Sequence, residues 1–477
     1  MLDYEKLGLR CGIEVHRQLD TKKLFCRCNS ILLDKEPDFL VKRYLRAVRS
    51  EFGEIDPVAE YELSKGRYCI YEVNSDNNCL VELDELPPEP LNQEALNTAL
   101  EVTLLLKAQP VDEIQVMRKQ VIDYSNTSSF QRTVLIAING HIDTKKGKVR
   151  IKTITLEEDA ARKIRETPEY IVYRLDRLGI PLIEISTAPD INNPEQAKEA
   201  AEYIGMVLKS TGKVKSGIGT VSQDLNVSIS KGARVEIKGV QELNQIPDII
   251  KKEVERQLEI IKKKKKVFEE VRYVNPDNTT SYLRPMPGAA RMYPETDIPA
   301  IEITKEMLAQ IKLPELIIEK IIKLEQTYNI NTEIAEQIIK ESKQEVFENF
   351  VRKYSKIEPK IIAQTLILTV KDIKSRHELD ADKLKNKDFD FVFSSLNNNE
   401  ITKEAIPEIL IDILEGNKIN LKKYQPVSYE DVEKEIKDII KKNKKLTINA
   451  VMGMIMEKHR GKVEGKKVIE LIKKYVK

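Results

Sequence analysis

The strongest constraint on this chain is a change of hydrophobic period near residue 303. Before it, short runs alternate every second residue; after it, apolar residues recur at helical spacing, as in Ile334, Ile338 and Ile339. A proline-rich stretch, from Arg284-Pro285-Met286-Pro287 to Asp297-Ile298-Pro299, marks the change. The expected fold class is α+β. An antiparallel-sheet domain over 1–303 is followed by an all-helical domain over 304–415 and a small helical tail over 416–477, the second boundary lying between Gly416 and Pro426. Three domains also suit a length of 477 residues at roughly 150 per domain.

Within the first domain, alternation assigns faces. In Gly12-Ile13-Glu14-Val15-His16, Glu14 and His16 share one face and Ile13 and Val15 the other. Asp224, Asn226 and Ser228 oppose Leu225, Val227 and Ile229; Arg234, Glu236 and Lys238 oppose Val235 and Ile237. One apolar and one polar face is the pattern of an antiparallel sheet with a wet surface. Around Asn139-Gly140, the runs Val134 to Ile138 and Lys148 to Leu156 read as an antiparallel pair with an irregular connection. A helix is expected after Asn193 as N-cap, with Pro194 at its first position and Gly212 past its end.

These faces collect carboxylates in four places: Glu14 with His16, Glu157-Glu158-Asp159, Glu184, and Asp224 with Glu236. Carboxylates among β-branched residues are costly to gather unless a cation holds them. Oxygen donors with one imidazole suit Mg²⁺ or Mn²⁺, and hence phosphate chemistry. Spacing alone favours the alternative of salt-bridged or exposed carboxylates for Glu14 and Glu184. Cys26 and Cys28 form C-x-C, with Cys69 and Cys79 downstream, enough for a zinc site or simply for free thiols; Cys11 reads as a buried thiol. Five cysteines, an odd number, fit a reducing compartment. No run reaches the roughly 18 apolar residues of a membrane span and the start is not a signal peptide, so a soluble, cytoplasmic protein is expected. No P-loop or G-x-S-x-G elbow occurs, and four histidines in all argue against a zinc hydrolase. Arg118-Lys119 and the glycine-spaced Lys215-Ser216-Gly217-Ile218-Gly219-Thr220 are possible phosphate contacts, the latter equally a plain turn.

A net charge of +2 excludes a uniformly basic coat protein. It conceals an asymmetry: residues 416–477 hold 16 Lys and 1 Arg against 8 acidic residues, a surplus of nine. The expectation is that Lys458, Arg460, Lys462, Lys466 and Lys467 meet nucleic-acid phosphate, against the alternative of a solvated helical bundle. The run Lys262 to Lys266 reads as a solvated helix end, against the alternative of an RNA contact.

Gly12-Ile13-Glu14-Val15-His16-Arg17-Gln18-Leu19 followed by Leu24-Phe25-Cys26-Arg27-Cys28 strongly resembles the B/E subunit family of tRNA-dependent amidotransferases. Leu156 to Ala160, Gly179 to Ile185, Gln223 to Val227, Met286 to Asp297 and Gly453 to Gly465 agree in the same order, over the whole chain. The wording of Ser125 to Arg132 and of Met286 to Asp297 is closer to the archaeal form.

The resemblance implies a glutamine synthetase-like catalytic cradle. It implies ATP-dependent phosphorylation of the side-chain carboxylate of glutamate mischarged on tRNA(Gln), then amidation by ammonia from a partner, the asparaginase-like glutaminase of D type. Carried over by motif, Glu14, His16, Glu158 and Glu184 would coordinate Mg²⁺, with Glu157 a near neighbour. Lys119 would sit near the reacting carboxylate or phosphate, and Asp224, Asn226, Glu236 and Lys238 would help to hold nucleotide or metal. Structural zinc at Cys26, Cys28 and Cys79 would lack a clear fourth ligand, Cys69 falling where the pattern has no cysteine. The alternative function is a non-catalytic tRNA-binding or assembly factor of the same fold; a narrower variant also serves aspartyl-tRNA(Asn). Archaeal members carry a large insertion, similar to a domain of aspartyl-tRNA synthetase, before Tyr282-Leu283-Arg284-Pro285; here only Val267 to Ser281 fills that place.

Overall fold

The computed structural model describes residues 2–44, 55, 57–121, 123–286, 292–377, 379–442, 446–459 and 461–475. Two compact units result, Met1–Leu316 and Ile317–Lys477. The first ends after the expected boundary at 303 because the helix Lys305–Gln310 sends Met307 and Leu308 back onto the first core.

The first unit is built on an 11-stranded sheet. Its strands are β1 (Arg10–Gln18), β2 (Val116–Gln120), β3 (Phe130–Thr144), β4 (Gly147–Glu158), β5 (Pro181–Thr187), β6 (Val221–Ser228), β7 (Val235–Val240), β8 (Glu270–Val274), β9 (Thr280–Pro285) and β10 (Met292–Pro294), with Gln109–Pro110 added on β3. Their order is β9-β8-β7-β6-β1-β5-β4-β3-β2-β10, antiparallel throughout except for β7 and β8. A smaller four-stranded sheet carries Cys69 and Tyr71 in its own core.

Three helices cover one face of the large sheet: α1 (Gln93–Leu105) on β3 and β4, α2 (Pro194–Ser210) on β1, and α3 (Ile246–Lys262) on β6. The apolar residues of each alternating strand, such as Ile13, Val15, Ile183, Ile185, Leu225 and Val227, pack against them and are fully buried. Each such side chain is worth roughly 1.5–3 kcal/mol of burial. Helix α2 begins as expected: the Asn193 side chain accepts from the Glu195 amide, Pro194 fills the first turn, and Ala197, Ala200, Ala201, Ile204 and Leu208 form the buried stripe. Gly212 follows its end at φ +67°. The lysines from Lys262 to Lys266 extend exposed from the end of α3.

The expected pair around Asn139 forms, but its turn lies at Lys145-Lys146 and β3 runs straight through Gly140. A Cβ at Gly140 would approach the Leu106 carbonyl to 2.9 Å, so this glycine is there to let the end of α1 cross the strand.

The second unit is helical and holds two apolar clusters, one over residues 321–424 and one over 432–472. Thr402 donates to the Gly461 carbonyl, and Gly461 at φ +73° packs on Ala405, which joins the clusters. Mixed α+β with a large antiparallel-rich sheet and a helical C-terminal region is therefore the observed class. Among the described residues, no helix is long and apolar enough to cross a membrane.

Candidate functional site

The helices leave the other face of the sheet polar. Strand register decides what gathers there, because directly paired residues point the same way. Glu14 pairs with Asp224 on one side and Ser186 on the other; His16 pairs with Ser222 and Glu184. Next out, Glu184 pairs with Thr155, Asn226 with Glu236, and Glu157 with Thr133. Residues 168 to 212 positions apart thus meet on four adjacent strands.

The contacts are specific. His16 Nε2 lies 3.2 Å from Glu184 Oε2, and the Ser186 hydroxyl donates to the other oxygen at 3.0 Å. Asn226 donates to Glu14 at 3.1 Å. Lys238 Nζ bridges Asp224 and Glu236 at 2.6 Å each, and the Gly239 amide also donates to Asp224. Farther along, Lys119 Nζ reaches Glu157 at 2.7 Å, where Thr133 donates as well.

Crowded acids shift one another. Burial and then the charges of Glu184 and Glu236 push Glu14 up to about 7. Burial opposes a charge on His16, but its bond to Glu184 together with the charges of Glu184, Asp224 and Glu157 outweighs that and raises it to about 9. Glu184, raised by burial alone, is held down to about 2 by His16. Lys238 stays well above the ordinary lysine range because Asp224 and Glu236 outweigh its burial.

Ligand atoms of Glu14, His16 and Asp224 lie within 4.8 Å of one another, so an oxygen-rich, single-imidazole donor set is preassembled. The carboxylates gathered here, met by Lys238, Lys119 and His16, fit a divalent cation. Beside it opens a cleft of about 460 Å³, walled by His16, Asp224, Lys238, Arg177 and the glycine-spaced loop at Gly219-Thr220.

Glu158 has partners of its own. Its neighbour Glu157 occupies the polar face, whereas the Glu158 carboxylate accepts from the Arg132 amide at 3.0 Å and faces its guanidinium at 3.4 Å, away from Glu14, His16 and Glu184. Burial raises it, with Arg132 pulling the other way. The parity was present in the sequence: Ile154 and Leu156 face the core, and Glu158 continues their side. Sequence reasoning passed over Arg132, and Glu295 too, which binds both Arg118 and Arg132.

A second cluster lies elsewhere in the unit. Cys26, Cys28, Cys79 and Glu82 place their ligand atoms within 4.8 Å of one another. Cys26 donates to Glu82 at 2.8 Å, and the buried Lys23 ammonium sits 3.2 Å from the same carboxylate. The Cys26 and Cys79 thiols, hydrogen-bonded to Cys28, push it down to about 4. Cys69 is not part of this group; it is buried in the smaller sheet. The fourth member of the group is a carboxylate, which cysteine spacing does not encode.

Of the tail residues, Lys458 pairs with Glu435 at 2.8 Å and Lys467 with Glu464 at 3.5 Å. Lys462 is half-buried, Lys466 is exposed, and Arg460 lies outside the described residues.

Comparison with known proteins places these features. A family profile described as the GatB/GatE catalytic domain matches residues 9–309, and a GatB domain profile matches 345–476. The chain is 38% identical to the E-type subunit of the glutamyl-tRNA(Gln) amidotransferase of Methanocaldococcus jannaschii, covering 100% of this chain and 99% of that protein. Identity to the corresponding E-type proteins of Methanosarcina barkeri and Saccharolobus solfataricus is 36% and 35%, with at least 98% of each covered. The first alignment runs over 627 positions against 477 residues here, so at least 150 positions of the relative have no counterpart in this chain.

Proposed function

The chain belongs to the GatB/GatE family, and from that premise we propose that it is the kinase and transamidase subunit of a glutamyl-tRNA(Gln) amidotransferase. The observation that carries this reading is the convergence of Glu14, His16, Glu184, Asp224, Glu157 and Lys119 on one open sheet face. ATP phosphorylates the side-chain carboxylate of glutamate on tRNA(Gln), and ammonia then displaces the phosphate to leave glutaminyl-tRNA(Gln).

The chemistry explains the residues. Ammonia does not displace oxide from a carboxylate at neutral pH, so the oxygen must first become a leaving group. In the first step a carboxylate oxygen attacks the γ-phosphorus of ATP and ADP departs; in the second, ammonia adds to the acyl carbon, phosphate leaves, and nitrogen loses a proton. Glu14, His16, Glu184 and Asp224 would hold magnesium, which would supply positive charge against the phosphate during transfer. Lys119, oriented by Glu157, offers an ammonium to the reacting carboxylate or phosphate. Lys238, fixed between Asp224 and Glu236, presents a cation to the cleft, and Asn226 orients Glu14. The cleft of about 460 Å³ is within the range of small-molecule sites and would take the nucleotide.

Zinc at Cys26, Cys28, Cys79 and Glu82 would be structural, since four protein donors within 4.8 Å of one another are enough to fill a four-coordinate shell. The asparaginase-like glutaminase of D type would supply ammonia, and the basic 416–477 segment, with Lys458, Lys462, Lys466 and Lys467, would contact tRNA. The alternative of a non-catalytic tRNA-binding factor is disfavoured by the intact polar face, which such a factor has no need to assemble.

The test is conversion of glutamyl-tRNA(Gln) to glutaminyl-tRNA(Gln) with ammonium as donor. Dependence on both ATP and Mg²⁺ is expected; no product at saturating substrate overturns the proposal.

A further inference from the structure

We propose that Glu295 is a positioning residue that sets the polar face from the opposite side of the sheet. Three strands each contribute consecutive residues to the two sides. On the polar side, Lys119 of β2, Thr133 of β3 and Glu157 of β4 are knit together by the bonds that meet on Glu157. On the reverse side stand their neighbours Arg118, Arg132 and Glu158.

Arg118 and Arg132 are directly paired across β2 and β3. Two like charges in that relation repel, and these two are largely out of water, with side-chain exposures of 21% and 6%. Glu295, arriving just after β10 and itself 0% exposed, turns the repulsion into a clamp. One carboxylate takes Nε and Nη2 of Arg118 and, at 2.9 Å, Nε of Arg132. The Asp297 amide donates to it at 3.1 Å, which fixes the carboxylate's own direction. Phe130 lies beneath both guanidinium groups, at 4.8 and 5.2 Å, so neither can swing inward.

The consequence falls on Lys119. Strand β2 has five residues, paired along their length with β3 but flanked on the outer side only by the three-residue β10. With Arg118 clamped behind the strand, the next residue is aimed at Glu157 in front. Glu295 touches none of the polar-face groups, and its effect passes through Arg118 and Arg132. Its bearing on catalysis rests on the activity proposed above, whereas its bearing on Lys119 does not.

The experiment uses the full chain with Glu295→Gln, which keeps size and removes charge. Trace acetic anhydride labelling, read by mass spectrometry, measures the reactivity of the Lys119 amine, with exposed Lys146 as internal reference. Loss of the ordered Lys119 to Glu157 bond should raise Lys119 labelling about tenfold while Lys146 is unchanged. Amidation turnover should fall by a similar factor with the KM for ATP within about twofold, the mark of an effect on alignment rather than on binding. Glu295→Asp, which keeps the charge, should recover part of both. Lys119 labelling within about twofold of the parent in a folded Glu295→Gln protein overturns the proposal, and so does a uniform rise over all lysines. Should that variant not fold, Arg118→Lys, which cannot make the fork, decides by the same readouts. If the parent shows no amidation yet Lys119 responds as expected, the activity fails and the positioning stands.

Discussion

The two donor clusters of the first unit differ in how open they are. The carboxylate and imidazole cluster lies on an open sheet face beside a cleft of about 460 Å³, with counter-charges on both flanks. The thiol cluster is closed, its fourth place taken by Glu82 and its surplus charge met by buried Lys23. A site that turns over substrate keeps room at its donors, whereas a site that fastens loops fills every position. Openness separates the two as much as ligand identity does.

The severest trial of that contrast is removal of one ligand from each. Glu14→Gln or Glu184→Gln should lower amidation roughly a thousandfold, the scale of losing several kcal/mol of charge stabilisation, with little change in Tm. Cys28→Ser should do the reverse, lowering Tm by roughly 5–10 °C, the scale of two or three kcal/mol in a domain this large, while the remaining folded protein stays active. Metal analysis of the purified chain should find one zinc that EDTA removes only on unfolding. If Cys28→Ser abolishes activity in a folded protein, the thiol cluster belongs to the chemistry after all.

A finer trial compares neighbours on one strand. Glu157→Gln should reduce turnover about tenfold or more, the value of a charge-assisted hydrogen bond at the site, whereas Glu158→Gln should act mainly on stability. Equal kinetic effects would mean that the two strand faces are not functionally distinct.

The smallest effect expected is in acid. Glu295 is buried, which alone would raise it, yet Arg118, the Asp297 amide and Arg132 hold it down to about 2, against 4.5 for an ordinary glutamate. A depressed carboxyl contributes its stability above its unfolded value and loses it as pH falls toward the folded one. The difference in stability between the parent and Glu295→Gln should therefore shrink as pH falls from 4.5 toward 2. Denaturant titrations at several pH values measure it; a constant difference removes the ionic clamp.

Alternation alone placed Glu14 with His16 and Asp224 with Asn226, because strand parity is a local property. The helix at Asn193 was equally legible, its cap and proline lying within two residues of each other. Which strands lie side by side was not. His16 finds Glu184 across 168 residues, and no period in the sequence encodes that neighbour. Glu295 was hidden for the same reason, reaching Arg118 from 177 residues away. Glu157 and Glu158 are a different case: the apolar parity of Ile154 and Leu156 separates them, and only their adjacency disguised it.

The hairpin of β8 and β9 turns through Asn275 to Thr279, with the Asn275 amide donating to the Thr279 carbonyl at 2.8 Å. Its two stems are neighbouring rungs of one ladder at the margin of the sheet, remote in strand order from β4 and β5. Closing a longer excursion between such stems costs only a logarithm of its length. A longer excursion could therefore be closed between these stems while the register that brings Glu14, His16 and Glu184 together stays as it is.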